Sequence, residues 1–395
     1  MIQRGIISLF LLFAAVAALA QELDTTDVFY KHLELQETVV TGLAGDSKMK
    51  EVPAPVSVIR PADLAARSGG NIMNAIAAEP GVSEITTGGG ISKPVIRGMG
   101  YNRVVVVSDG LRQEGQQWGD EHGLEIDGAG VHSVEILKGP ASLMYGSDAL
   151  AGILIFHPEP SRAPGEAGGS FASEYQTNNG LVSYSIAADG NAGGWLLGGR
   201  FSDKYAQAYS NAENGPVANS GYRQRAASAM LGRNARWGYS RLRGSWFHLT
   251  PGMIEGDGDN FGYTPALPLQ QVRHYKLAWD NTVHLGPGNL KLLLGWQQNR
   301  RQEFEESADE PGLDFRLSTV NYDIRWQGSF PEKWKTAFGL AGMGQRSENL
   351  GEEYLIPAYR LLDVGIFATA TRALGPWTLS GGFRTDVRQL RSEAL

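Results

Sequence analysis

The chain has 395 residues, with 35 Lys and Arg against 42 Asp and Glu, for a formal net charge of −7. That balance argues against a nucleic-acid binder, which carries a basic face. The absence of Cys excludes disulfide scaffolds, thiolate zinc, iron–sulfur clusters and thiol catalysis. Glycine is high, 51 residues or about 13% against a usual ~7%. It follows no G-X-Y period, so the composition is that of a β-rich chain with many tight turns.

Residues 1–20 read as a secretory signal peptide. Arg4 supplies the positive start, Ile6–Ala20 is an almost unbroken apolar run, and Ala18-Leu19-Ala20 offers a small-residue cleavage site. A spanning helix needs ~20 apolar residues, more than this run provides. Residues 21–49 are polar and aperiodic, a flexible arm with one extended patch, Glu37-Thr38-Val39-Val40-Thr41.

Residues 50–157 change texture, with short β-branched runs set between glycine turns. Val56–Ile59, Pro94–Ile96, Val104–Val107, Val131–Leu137 and Ile153–Phe156 are expected strands of a mixed α/β domain. Asn71–Ala78 is an expected short helix, with Ile72, Ala75 and Ile76 on one face and Pro80-Gly81 stopping it.

After a 158–169 linker, residues 168–395 alternate with period two. Eleven segments of about ten residues or more are expected strands: 168–177, 180–189, 193–202, 223–235, 238–249, 273–285, 288–299, 316–328, 332–346, 359–372 and 374–386. Trp195, Leu197 and Phe201 share one face while Leu196, Gly198, Arg200 and Ser202 share the other. Connections alternate between tight turns, such as Gly286-Pro287, and long polar loops at 203–222, 250–272, 300–315 and 347–358. This is the pattern of a transmembrane β-barrel with antiparallel strands. A soluble β-solenoid or sandwich is the alternative, but its buried face would not carry so many Arg, Asn and Gln.

Several motifs in order resemble one family, the TonB-dependent outer-membrane receptors. Glu37-Thr38-Val39-Val40-Thr41 is similar to a TonB box. Pro53–Leu64, Ile72–Gly81, Val95-Ile96-Arg97-Gly98, Val104–Gly110 and above all Val134–Gly146 (VEILKGPASLMYG) resemble a plug domain. The resemblance implies a plug inside a 22-stranded barrel, bacterial outer-membrane location, and binding of the TonB protein of the inner-membrane energy-coupling complex. An extended Val/Thr segment suits that partner, because it can add as a strand to a sheet edge. Eleven strands are half the family number and an odd count, and an open barrel would leave an unpaired edge in lipid. The expectation is therefore an N-terminal portion of a longer receptor.

Gln116–Asp127 (QQWGDEHGLEID) gathers Asp120, Glu121, His122, Glu125 and Asp127. Imidazole and carboxylates close together suit zinc. The segment also resembles the acidic-His-x-x-x-x-Asp form of zinc-uptake receptors, which implies Glu121 and His122 as metal ligands, with Asp127 at the trailing position and Asp120 alongside. Equally, these residues could pin the plug to the barrel wall. No cofactor is required; zinc would be cargo. Two loops are acidic, one with Glu255, Asp257 and Asp259, the other with Glu303, Glu305 and Glu306. They would concentrate a cation at the mouth, although solvated loop charge is the plainer reading.

No nucleophile–base pair or metalloprotease motif is present, so an enzyme is not expected. The expected function is energised uptake of a scarce small nutrient, most simply a metal ion such as zinc. Iron-siderophore, haem and cobalamin are rival substrates. A passive porin or adhesin would not need both arm and plug.

Overall fold

The computed structural model describes residues 39–40, 47–48, 55–115, 119–138, 140–213, 215–254, 259–329, 333–353 and 355–393. The expected signal peptide, Glu37, Thr38, Thr41, Glu255 and Asp257 lie outside the described residues. In the arm, β1 (Val39–Val40) pairs antiparallel with β2 (Ser47–Lys48), Val39 opposite Lys48 and Val40 opposite Ser47.

An α/β body follows: β3 (Val56–Ile59), α1 (Pro61–Arg67), α2 (Ile72–Ala77), β4 (Val82–Thr86), β5 (Ser92–Ile96), β6 (Val104–Ser108), β7 (Leu111–Arg112), β8 (Ser133–Leu137) and β9 (Gly152–His157). Its main sheet has the order β3-β8-β9-β6-β7, with β6 and β9 parallel and β8 and β9 antiparallel; β4 and β5 form a separate hairpin. The unbroken apolar runs of β6 and β9 follow from burial on both faces. Val106, Leu154 and Phe156 pack with Ile72, Met73 and Ile76 of α2, whereas Val105, Val107, Ile153 and Ile155 pack on the other side.

α2 starts where its cap allows, with the Asn71 side chain accepting from the Met73 N–H at 3.0 Å. α1 was not expected from the sequence. Its start signals were there, Pro61 at the first helical position and Asp63 in the first turn. Only Leu64 of its seven residues is buried, so no apolar stripe marked it. Leu154 is fully buried in the larger cluster. Leu154→Ala should destabilise this body by about 2–5 kcal/mol through lost transfer energy and a cavity. Hydrogen-exchange protection of the β8 and β9 amides measures it, and unchanged protection would contradict the packing described.

A second sheet contains β10 (Ala167–Gln176), β11 (Leu181–Ala192), β12 (Trp195–Ala206), β15 (Tyr222–Ala235), β16 (Gly238–Pro251), β17 (Leu269–Leu285), β18 (Gly288–Phe304), β19 (Leu313–Ser329), β20 (Lys335–Asn349), β21 (Tyr359–Leu374) and β22 (Trp377–Ser392). A small hairpin, β13 (Ser210–Asn211) with β14 (Gly215–Pro216), decorates the β12–β15 loop. All eleven large strands pair antiparallel in chain order, with β10 and β22 at the edges. Tight hairpins join them at one end; Gly286 takes φ +57° between β17 and β18, a left-handed conformation glycine adopts freely.

Burial in this sheet is inverted relative to a soluble protein. Trp195, Leu197, Ile186, Leu277, Trp296 and Val320 are exposed on the outer face, while Ser185, Ser202, Gln297, Asn299, Arg301 and Thr319 are buried on the inner one. Apolar outside and polar inside is the arrangement lipid demands of a barrel wall. No helix among the described residues is long and apolar enough to cross a membrane.

The strands extend further at the long-loop end than the alternation suggested. β17 begins at Leu269 rather than 273, and β18 runs to Phe304 rather than 299. Glu303, expected in a loop, is instead a strand residue paired between Gln270 and Leu313. Period-two patterning fades there because both faces of the strand ends are polar or buried by the α/β body.

Candidate functional site at the junction of the two layers

The loop from β7 to β8 carries the site, and β5 is its floor. The Leu124 N–H donates to the Ser92 carbonyl at 2.8 Å. A Cβ on Gly123 would stand 3.0 Å from the Ser92 nitrogen, so glycine permits this close approach. The turn 119–122 is closed twice, by the His122 N–H to the Gly119 carbonyl at 3.2 Å and by the Gly119 N–H to His122 Nδ1 at 2.9 Å. Beneath it, Lys93 donates to the same Gly119 carbonyl, and the Tyr101 hydroxyl donates to Asp120.

His122 is 1% exposed. Its Nε2 lies 2.8 Å from Glu303 Oε1 on β18 and 3.5 Å from Glu121 Oε1. Because Nδ1 accepts the Gly119 N–H, the neutral ring carries its proton on Nε2 and donates it to Glu303. Burial holds the His122 imidazole below its ordinary value, a push that the hydrogen bond to Glu303 opposes but does not overcome.

Of the sequence-derived ligands, His122 therefore meets Glu303 of the wall, and Glu121 stands beside its Nε2. Asp120 is engaged by Tyr101. Asp127 turns elsewhere: one oxygen caps the Ala129 N–H at 3.2 Å and the other accepts from Ser202 of β12 at 3.0 Å. Glu305, Glu306 and Asp259 are exposed. Among the described residues no group of three or more His, Asp or Glu side chains is arranged to hold a metal ion. A hydrogen bond occupies the place where such an ion would sit.

The sequence gathered Glu125 into this cluster with pinning to the wall as one of two readings, and its partners on the wall were not legible. Glu125 is inserted into the inner wall, where its Oε2 meets His274 Nδ1 at 2.6 Å and its Oε1 accepts from Arg301 Nη2 at 3.0 Å. Asn299 also donates to it. Arg301 Nη1 donates to Gln270 at 2.8 Å, and Gln270 donates to the Glu121 carbonyl at 3.3 Å. All four charged or polar side chains at the centre, Glu125, His274, Arg301 and Gln270, are buried. Burial alone would raise the Glu125 carboxyl; His274, Arg301 and Asn299 more than offset it and hold it below the usual carboxylate value. A signal was present, since Gln297, Asn299, Arg301 and Glu303 are four successive inward positions of β18, none apolar.

Further ion pairs tie the same two layers. Asp109 meets Lys276 at 2.7 Å and Arg243 at 3.1 Å, and Asp148 bridges Arg112 and Arg388 at 2.7 and 2.6 Å. A cleft of about 520 Å³ lies beside them, lined by residues that include Arg103, Glu114, Gln345 and Tyr359.

Residues 48–153 match the TonB-dependent Receptor Plug Domain. The chain is 34% identical over 156 residues to the "Iron-regulated outer membrane virulence protein" of Vibrio cholerae, covering 38% of this chain and 22% of that protein. It is 22% identical over 360 residues to the "Vitamin B12 transporter BtuB" of Photobacterium profundum, covering 88% of this chain and 56% of that one. Among solved structures, the FrpB iron transporter of Neisseria meningitidis superposes with a TM-score of 0.72 at 17% identity, over 85% of this chain and 59% of its own. The chain thus spans less than two thirds of these relatives' length. The α/β body therefore carries the plug-domain match, and the large antiparallel sheet shares the barrel-wall fold of the receptor structures it superposes on.

Proposed function

We propose that this receptor takes up a small nutrient across the outer membrane with energy delivered by TonB, as a transporter and not an enzyme. The arm before the plug is the handle. Val39 and Val40 offer backbone hydrogen bonds to a partner's sheet edge. Val40→Pro removes one donor, and should abolish energised uptake while leaving ligand binding at the cell surface intact. Uptake at the wild-type rate in that variant would remove the arm from the mechanism.

The cargo we propose is a divalent metal ion of the zinc type. One observation carries this reading: His122 Nε2 of the plug lies 2.8 Å from Glu303 of the wall and 3.5 Å from the neighbouring Glu121. Imidazole nitrogen and carboxylate oxygens are zinc donors at ~2.0–2.2 Å, and here they belong to two bodies that can separate. Binding requires the ring proton to shift from Nε2 to Nδ1, which gives up the Gly119 N–H; the ion then takes the Nε2 lone pair between His122 and Glu303, and Glu121 closes in. A Ton-driven movement of the plug then carries Glu121 and His122 away from Glu303 and dismantles the site. Asp120 and Asp127 support the turn and its docking in this scheme, and the exposed Glu305 and Glu306, with the 255–259 loop, raise the local cation concentration.

Cells expressing the receptor, with and without a working Ton system, should accumulate labelled zinc only when both are present. Iron-siderophore, haem or cobalamin competing for that uptake, with no zinc transport, would replace the metal by one of those ligands.

A further inference from the structure

A cation is already built into the floor of this site. Lys93 of β5 is fully buried, its Nζ donates to the Gly119 carbonyl, and it lies 4.2 Å above the centre of the Tyr101 ring. A carbonyl oxygen and the negative face of an aromatic ring are both partners for an ammonium. Tyr101 in turn binds Asp120, so Lys93 sits under the acidic pair Asp120-Glu121. Asp120 and Glu121 pull its ammonium up, although burial pushes it down further.

The other charges around the turn divide unequally. Arg301 also faces Glu121 and Glu303, yet its guanidinium is matched by Glu125 at 3.0 Å. Lys93 hydrogen-bonds to a neutral carbonyl instead of a carboxylate, so its charge remains directed at the turn. That carbonyl also closes the turn that presents Glu121 and His122.

We propose that Lys93 is a resident cation that sets the affinity of the Glu121–His122–Glu303 site, neutralising its carboxylates when empty and repelling the divalent ion when filled. This rests on the metal reading above. The repulsion acts in a buried site where charges are poorly screened. It lowers affinity and favours release, which a transporter needs as much as capture. Lys93 acts through the field at the ligands and touches no substrate.

The charge and a merely structural role have opposite consequences, which makes the idea testable. The probe is zinc chloride titrated into the purified full-length receptor, with zinc uptake by cells measured in parallel. Lys93→Gln keeps a donor for the Gly119 carbonyl but removes the charge; Lys93→Met removes both; Lys93→Arg keeps the charge. Expected are about tenfold tighter zinc binding in the Gln variant with slower uptake per receptor, and near wild-type affinity for Arg. Should the Met variant fail to insert, the Gln and Arg pair decides alone. Unchanged or weaker binding in Lys93→Gln, with zinc still bound by the wild type, overturns the role of Lys93 only. Absence of zinc binding in the wild type overturns the metal reading itself.

Discussion

On the proposed metal reading, His122→Ala should lower zinc affinity on the order of 100-fold. A structural zinc site is worth roughly 10–16 kcal/mol, and one of about four ligands carries a few kcal/mol of it. The same variant removes the donor to Glu303 and the acceptor of the Gly119 N–H, so the turn loses one of its two closures. The pH dependence separates ligand loss from turn collapse. Neutral imidazole is the ligand form, and burial holds His122 below its ordinary value of about 6.5. Zinc binding by the wild type should therefore persist as pH falls through ~6.5 and be lost only at lower pH. Calorimetric titration across pH 5–8 reads both quantities. Equal affinity in wild type and variant would leave His122 as a plug-to-wall hydrogen bond and nothing more.

Glu125→Ala loosens the plug from the wall by about 3–5 kcal/mol, because it leaves a buried guanidinium and a buried imidazole facing each other without their carboxylate. Arg301 is 1% and His274 3% exposed, so water gives little relief. Replacing the pair together, as Glu125→Leu with Arg301→Met, should recover much of the loss, since the apolar pair needs no counter-charge. The linkage has the carboxylate sign. The Glu125 pKa is depressed in the folded state, so its contribution is present above the unfolded value and is lost as pH falls through the lower folded one. Hydrogen exchange of residues 119–127 in the detergent-solubilised receptor measures the effect. Protection unchanged in Glu125→Ala would show that the loop is held by Gln270, Lys93 and Tyr101 alone.

These two residues also mark how far the sequence can be read. His122 and Glu121 stand next to each other, in a short segment whose chemistry is visible without a fold. Glu303, the partner of His122, lies 181 positions away, and it looked like one of several carboxylates in an acidic loop. It meets His122 because β18 continues past residue 299 and turns odd-numbered positions inward. Glu125 was equally visible as an acid, yet its meaning depends on His274 and Arg301, which arrive from β17 and β18. A lone inward His on a strand says nothing about which plug residue will face it.

By itself the sequence determined the architecture. Burial on both faces made β6 and β9 continuous apolar runs, and period-two alternation with apolar residues outward defined eleven strands, because lipid and a polar lumen impose opposite preferences on successive positions. Short helices such as α1, whose buried face is one Leu, fell below what periodicity can register. Only the tertiary structure decided the site. Register fixes which wall residues meet the plug, and that register is set by the hairpin-by-hairpin pairing of β10 through β18. Asp127 and Glu125 are two positions apart and look alike in the sequence; docking sends one to Ser202 and the other to His274 and Arg301, since a loop lying across a curved wall presents successive side chains to different strands.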